Sequence, residues 1–387
     1  MTNSVFILGS GRMGSVAARD LLRSNVVDRI LIGDLDIGRA EKLAKELGSR
    51  KVAVTQVDAS RESDIVRAIT GCTVIINAVW YELNPVVMRA AIKARVHYND
   101  LGGLFHVTRK QMELNDEAKK AGITAVLGGG ESPGISNVMV AASAQNLDTV
   151  EEIRVRAGGR EETQSGDRLV FPFAVSTVFD EYSKPPIMFL KGKFEDVPAL
   201  SGEEEVDFPE PVGRNLCHYT IHSEMASLPF SFKGVRTVDF KLGVSEKIFK
   251  AVKPLLEAGL SDTVPINVKG RMIAPRDFAI GYLTSRSSDE EPKRYVALKT
   301  EVLGTQRGER VVELRHVIGE PSDSFQVKNA TGLLTGISAS IIVQFIINGQ
   351  TWLRGAVAPE VCVPPVDFFD ELKKRGVRVD EPVLRPV

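Results

Sequence analysis

The sequence predicts an α/β protein of more than one domain, a doubly wound parallel sheet followed by an α+β domain on a mostly antiparallel sheet. Three observations predict it. Over the first 150 residues short β-rich runs alternate with helical periodicity. A glycine-rich turn joins the first of those runs to the first helical stretch. After about residue 150 the pattern changes to alternating strands with Gly-containing turns. The length of 387 residues agrees, since domains commonly hold about 100–200 residues.

The first six strands are expected at Val5–Leu8, Ile30–Ile32, Val52–Val57, Val74–Ile76, Val96–Tyr98 and Ile123–Leu127. Between them, Ala17, Ala18, Leu21 and Leu22, then Ala40, Leu43, Ala44 and Leu47, recur at helical spacing. Asn84-Pro85 supplies a cap and a first-turn proline for another helix. Runs apolar on both faces belong in a parallel sheet covered on both sides, and six is the strand number of a Rossmann sheet. Residues 1–150 are therefore expected to form that domain.

Residues 151–328 are expected to form the second domain, with strands at Ile153–Ala157, Leu169–Phe173, Val235–Leu242, Val296–Val302 and Glu309–His316. The stretch Lys184 to Asn215, rich in Pro, Gly and acidic residues, reads as a long surface loop with short strands. From Asn329 the pattern is helical again, through Leu333, Leu334, Ile337, Ile341, Ile342, Phe345 and Ile346. Residues 329–387 are expected to return as helices to the first domain. Gly332 to Gly349 is interrupted by Thr335, Ser338, Ser340, Gln344 and Asn348, so it reads as a buried helix, too short and too polar for a bilayer.

Composition narrows the function. Hydrophobic residues at 43% and charged residues at 26% exclude disordered and fibrous classes. Forty-nine Lys and Arg against 50 Asp and Glu leave a net charge of −1 and no field to hold a polyanion. No nucleic-acid partner is expected. Cys72, Cys217 and Cys362 are far apart and form no CxxC pair, which argues against a disulfide framework and a thiolate zinc site. The first strand begins at once, leaving no space for a signal peptide. A cytoplasmic protein with no membrane association is expected.

The turn after the first run reads Gly9-Ser10-Gly11-Arg12-Met13-Gly14, and Asp34 ends the second run. In that context the motif predicts a dinucleotide site. Gly9 makes the tight turn, Gly11 admits the pyrophosphate, Gly14 lets helix and strand pack closely, and the helix N-terminus favours the phosphates. A carboxylate at Asp34 accepts the adenosine ribose hydroxyls and repels a 2′-phosphate, which favours NAD. Arg39, five positions on, could hold that phosphate instead, so NADP remains possible. Asp58-Ala59 and Asn77-Ala78-Val79 follow the third and fourth runs, where adenine and ribose would lie.

With these motifs the chain resembles the saccharopine dehydrogenase-like family of NAD(P)-dependent oxidoreductases. The resemblance rests on the glycine loop, on His97-Tyr98-Asn99-Asp100-Leu101-Gly102-Gly103, and on Gly130-Glu131-Ser132-Pro133-Gly134-Ile135-Ser136-Asn137. His222-Ser223-Glu224 before Leu228-Pro229, and the closing Gly355-Ala356-Val357-Ala358-Pro359-Glu360, extend it over most of the chain. It implies hydride transfer between nicotinamide and an amine-bearing carbon of an amino-acid or amine substrate. The form could be oxidative deamination of the lysine 6-dehydrogenase type. The alternative is NADPH-dependent condensation of an amine with an aldehyde, of the saccharopine reductase or carboxynorspermidine dehydrogenase type. It also implies a homodimer through the second domain. At one point the chain departs from lysine 6-dehydrogenases, which carry an Arg-aromatic-Pro-Gly-His stretch where this chain reads Lys241-Leu242-Gly243-Val244-Ser245.

Chemistry on an amine carbon needs a base beside the nicotinamide and a group to handle water. By the resemblance Asp100 lies there, with Leu101 and Gly102 against the cofactor, and is the first catalytic candidate. Pro133 and Asn137, opening the helix after the sixth strand, suit a carboxylate or the nicotinamide amide. His222 and Glu224 are the catalytic candidates from the second domain. His218 and His222 are four apart, but the intervening Tyr219, Thr220 and Ile221 read as a strand and no HExxH pattern follows, so no metal site is expected.

Overall fold

The computed structural model describes residues 2–162, 169–243, 245–286 and 292–387; Val244, in the departing stretch, lies outside them. The N-terminal half alternates strictly. In order it runs β1 (Ser4–Leu8), α1 (Arg12–Leu22), β2 (Arg29–Asp34), α2 (Ile37–Leu47), β3 (Val52–Gln56), α3 (Glu62–Ile69), β4 (Val74–Asn77) and α4 (Asn84–Ala94). It continues with β5 (His97–Asp100), α5 (Phe105–Met112), α6 (Asn115–Ala121), β6 (Thr124–Val126) and α7 (Ile135–Ala144). All six strands fall where expected and pair in parallel, β1 and β4 buried along their whole length.

The second half begins with β7 (Thr149–Glu161), α8 (Val175–Ser183), β8 (Ile187–Leu190), β9 (Lys193–Asp196), β10 (Glu204–Asp207), β11 (Arg214–Tyr219), α9 (Leu228–Ser231) and β12 (Thr237–Gly243). Then follow α10 (Glu246–Glu257), the hairpin β13 (Ile266–Val268) and β14 (Arg271–Ile273), α11 (Pro275–Arg286), β15 (Arg294–Gln306) and β16 (Glu309–Gly319). The chain closes with α12 (Ala330–Ile347), β17 (Gly355–Val357), α13 (Pro359–Cys362), α14 (Pro365–Lys374), β18 (Arg378–Val379) and β19 (Val383–Pro386). The second sheet runs β10-β11-β12-β7-β15-β16-β18 and is antiparallel except where β12 lies parallel to β7.

Three features differ from the sequence expectation. The first sheet has a seventh strand, β17, parallel to β6 at one edge. Leu169–Phe173 is not a strand: both neighbours of β7 are already taken by β12 and β15. Val170 and Phe171 are buried instead, Phe171 in a small cluster with α8, α10 and α11. The segment 329–387 also divides: β17 joins the first sheet, whereas β18 and β19 pair with β16 of the second.

Helix α12 positions the site. It touches α1, β4 and β5 on one side and β15 and β16 on the other, so it lies between the two sheets. Gly336 allows the approach to α1, because a Cβ there would come 2.6 Å from Val16 and 2.7 Å from the Met13 carbonyl. The helix is in fact long and apolar enough to cross a membrane by length and composition, contrary to the sequence reading, but most of it is buried inside the fold.

Candidate active site

Gly9 to Gly14 form the turn from β1 into α1. Gly9 takes φ 103°, and a Cβ on Gly14 would sit 2.0 Å from the Gly9 carbonyl oxygen, so helix and turn can meet only without side chains. Gly11, the N-cap of α1, has no side-chain cap, and the space where its Cβ would project is open. That cradle at a helix N-terminus fits a dinucleotide's pyrophosphate. Arg12 reaches the Pro172 carbonyl at 2.7 Å, tying the loop to the second half. Asp34 accepts the Ser10 amide at 2.7 Å and the Ser10 hydroxyl at 2.6 Å. Burial opposes its charge, but those bonds, the Asp36 amide and Arg39 hold the carboxyl below its ordinary range. Asp34 is thus ionised and fixes the loop it would share with a ribose.

The other expected cofactor residues separate by exposure. Ala78, Val79, Leu101, Gly102 and Pro133 line a cleft of about 340 Å³ together with Met13. Arg39 extends from the surface beside Asp36 at 3.5 Å. Asp58 accepts the Ser60 amide and hydroxyl at the turn that also holds Ala59. Asn77 is turned inward, donating to Asn84 Oδ1 at 2.8 Å and sealed from the cleft.

Two of the expected residues are buried and lie outside the cleft lining. Asp100 is 1% exposed and does not line the cleft. One carboxylate oxygen accepts the amides of Gly102 (2.8 Å) and Gly128 (2.7 Å); the other accepts Gln111 (2.7 Å) and the Tyr98 hydroxyl (2.9 Å). Four donors fill its acceptor sites, so it clamps the loops after β5 and β6 together rather than facing a substrate. Asn137 likewise accepts the Gly134 amide at 3.0 Å and donates to Glu360 at 2.8 Å, capping α7 inside the protein.

His222 and Glu224 do meet, and the cleft adds groups that the sequence reading did not single out. Glu224, fully buried, receives the Ser132 and Ser136 hydroxyls on one oxygen and bonds His222 Nδ1 with the other. The imidazole stacks on Phe240, ring centroids 4.0 Å apart, and its Nε2 lies 3.9 Å from Glu181 Oε1. Glu131, Glu181 and Arg294 line the same cleft.

Burial disfavours the His222 charge, but Glu224, Glu181 and Glu131 overcome it and raise the pKa. Burial also works against Glu224 ionisation, and His222 with Ser132 reverses that and holds the acid low. Glu181 is pushed up to about 7 by burial, against the pull of His222. Glu131 rises to about 8 by the same cause, opposed by Arg294 and His222. The arrangement is therefore a histidine held by a carboxylate, facing two carboxylic acids able to lose or gain a proton near neutral pH.

Glu131, Glu181 and Arg294 come from the loop before α7, from α8 and from the start of β15. Glu131 stands inside a motif the sequence reading quoted. Glu181 shares a helical face with Thr177, four residues earlier, and both line the cleft. His218, by contrast, bonds the Leu200 carbonyl at 3.1 Å and stacks on Phe249, away from His222's surroundings.

A dinucleotide cradle beside a cleft of paired acids and a histidine defines a nicotinamide-dependent oxidoreductase. The chain belongs to the saccharopine dehydrogenase family: residues 5–126 match the saccharopine dehydrogenase NADP binding domain and residues 130–377 its C-terminal domain. It is an NAD(P)-dependent dehydrogenase of that family, acting on a C–N bond. It is 24% identical to carboxynorspermidine synthase of Vibrio cholerae serotype O1, over 99% of this chain and 98% of that one. Carboxyaminopropylagmatine dehydrogenase of Synechocystis is 22% identical over the same shares. The fold matches saccharopine dehydrogenase of Saccharomyces cerevisiae with TM-score 0.75, 17% identity and coverage of 99% and 100%. It also matches homospermidine synthase of Legionella pneumophila with TM-score 0.71, 14% identity and coverage of 100% and 92%.

Proposed function

We propose that the chain reductively joins an amine to an aldehyde, forming a secondary amine at the expense of NAD(P)H. The observation that carries this reading is the His222–Glu224 pair facing Glu181 across 3.9 Å in the cleft. Joining an amine to a carbonyl releases water from a carbinolamine, and that step needs an acid for the leaving hydroxyl and a base for the amine proton. Glu181 and Glu131, with acidities near neutrality, suit both roles. Glu224 orients His222 through Nδ1 and leaves Nε2 toward the reacting centre. Bound nicotinamide supplies the hydride. The loops around Gly102 and Gly128, clamped by Asp100, hold the floor of the cleft beside the cofactor cradle. The acidic cleft also suits a second amino group, in keeping with relatives named for carboxylated polyamines.

A second reading is oxidative deamination with NAD. Its support is the ionised Asp34 at the end of β2, which disfavours a 2′-phosphate. One assay separates the two. The reductive reading expects NADPH or NADH consumption only when a diamine and an aldehyde are both present. NAD reduction by diamines or basic amino acids alone, without aldehyde-dependent consumption, would instead establish deamination.

We also infer a homodimer formed through the second half. Its support is the exposed apolar residues Ile266 and Met272 of the β13–β14 hairpin, Val264 just before it, and Phe278 and Tyr282 of α11. Sedimentation of wild type and of Phe278→Glu tests it; a monomeric wild type removes it.

A further inference from the structure

We propose that Asp180 is a positioning residue for the reaction: bound to Tyr81 of the first half and to Arg276 of α11, it holds α8 at the angle that turns the adjacent Glu181 toward His222; this rests on the reductive reading above. Asp180 is 2% exposed and, unlike Glu181, does not line the cleft. One carboxylate oxygen accepts the Tyr81 hydroxyl at 2.6 Å and Arg276 Nη2 at 2.9 Å. The other lies 3.2 Å from Lys184 Nζ. The partners come from the turn between β4 and α4, from α11 and from the end of α8. A buried carboxylate needs such partners, and here they join parts of the chain that no other element brings together.

Helix α8 needs this tie. Its Val178, Phe179 and Tyr182 pack with Val252 of α10 and Leu283 of α11 in a small cluster separate from the main core. That cluster fixes the three helices to one another, not to the dinucleotide-binding half. Tyr81 reaches across. It is buried, packs with Leu104 and Ile221, and lies so near the loop after β5 that a Cβ on Gly103 would come 3.0 Å from its own. Burial, with Asp180, pushes the phenol pKa well up, so its hydroxyl stays a donor. Arg276 holds the other side and approaches the Ser176 carbonyl, in the first turn of α8, at 3.5 Å. Glu181 follows Asp180 directly. Its Oε2 is buried without a partner among the described residues, so the helix that carries it sets its place opposite His222. A misplacement of about 1 Å at a reacting group can cost about 10²-fold in rate. Asp180 also acts through charge: burial is the first cause of the raised Glu181 pKa, His222 opposes it, and Asp180 adds to it.

The test measures turnover of 1,3-diaminopropane with 4-oxobutanoate and NADPH in wild type, Tyr81→Phe, Asp180→Asn, Arg276→Gln and the double variant of the first two. It also follows the Glu181 carboxyl by infrared titration, assigned by subtracting Glu181→Gln. Tyr81→Phe and Asp180→Asn should each lower kcat about 10- to 100-fold, and the double variant should be no slower than the slower single one. Unchanged NADPH affinity by fluorescence titration establishes that the variants fold. Glu181, at about 7 in wild type, should titrate lower in Asp180→Asn and higher in Arg276→Gln, which leaves the Asp180 charge uncompensated. Tyr81→Phe should leave it nearly in place. The other titratable and charged groups around Glu181, namely His222, Glu224, Tyr182, Glu131 and Arg294, are the same in every variant. A merely structural contact would not move the titration in opposite directions. Losses that multiply in the double variant, single variants within threefold of wild type, or shifts of one sign overturn the proposal. If Asp180→Asn does not fold, a kcat loss in Tyr81→Phe with an upward shift in Arg276→Gln sustains it, and the lack of either overturns it. If no pair turns over, the reductive reading fails by itself, and the titration decides: opposite shifts keep Asp180 as the residue that sets Glu181, and any other result removes it.

Discussion

His222 is gripped from both sides: Glu224 bonds Nδ1, and Glu181 lies 3.9 Å from Nε2, with the ring flat against Phe240. One contact fixes the orientation and the other leaves room for a reacting group. Glu181→Gln preserves shape but removes an acid poised near neutrality. Its kcat is expected to fall about 10²–10⁴-fold, the usual contribution of general acid–base catalysis, with cofactor affinity little changed. Turnover within threefold of wild type would exclude Glu181 from the chemistry.

The pH profile carries a sign. Glu181 and Glu131 are raised to about 7 and about 8 from the ordinary carboxyl range. A reaction that needs at least one of them protonated should slow above that window, and Glu131→Gln should move the alkaline limb. Stability follows the same groups. The folded state keeps protons that the unfolded chain releases near pH 4.5, so these acids lower stability as pH rises from there through about 8. Glu131→Gln should flatten the fall of Tm between pH 5 and 8. An unchanged slope would mean that the acid is not raised.

Asp100→Asn should act on the scaffold. The amide keeps one acceptor oxygen but turns its NH2 toward one pair of donors, either the Gly102 and Gly128 amides or Gln111 with Tyr98. Each orphaned buried donor costs about 1–3 kcal/mol, so Tm should drop markedly and the cofactor KM should rise. A variant with wild-type Tm and kcat reduced a hundredfold would return Asp100 to the catalytic role that the sequence suggested.

Asp34→Ala should weaken NAD while shifting the NADP-to-NAD ratio of kcat/KM toward NADP. It also releases Ser10, so some loss with both cofactors is expected. If wild type already prefers NADP, Arg39 rather than Asp34 governs the choice.

Gly336→Val should destabilise by about 1–3 kcal/mol, because the added carbons meet Val16 and the Met13 backbone where α12 crosses α1. Gly332→Ala should cost less, since its neighbour is the flexible side chain of Arg12. Equal Tm values for both would mean that the helices do not pack this closely.

The parallel sheet was legible because its strands are short β-branched runs whose register needs no partner to be recognised. β17 was not: three residues, Gly355–Val357, carry no periodicity and become a strand only beside β6. Leu169–Phe173 had the right alternation but found no free edge. The glycine loop was readable because its chemistry lies within a few consecutive residues. Glu131, Glu181, His222 and Arg294 come from separate stretches and share a cleft only after folding. The surroundings of Asp100 were not legible because a carboxylate ending a strand looks the same in sequence whether it faces solvent, substrate or four backbone and side-chain donors.

The account's central claim is that the cleft around His222 and Glu181 joins an amine to an aldehyde with hydride from the nicotinamide. The most direct measurement is mass spectrometry of the product from 1,3-diaminopropane, 4-oxobutanoate and NADPH dideuterated at C4. The account predicts a secondary amine carrying one deuterium on the former aldehyde carbon, formed by wild type and nearly absent with Glu181→Gln. Deuterium found only in the alcohol of the aldehyde, or equal labelled amine from both proteins, would contradict it.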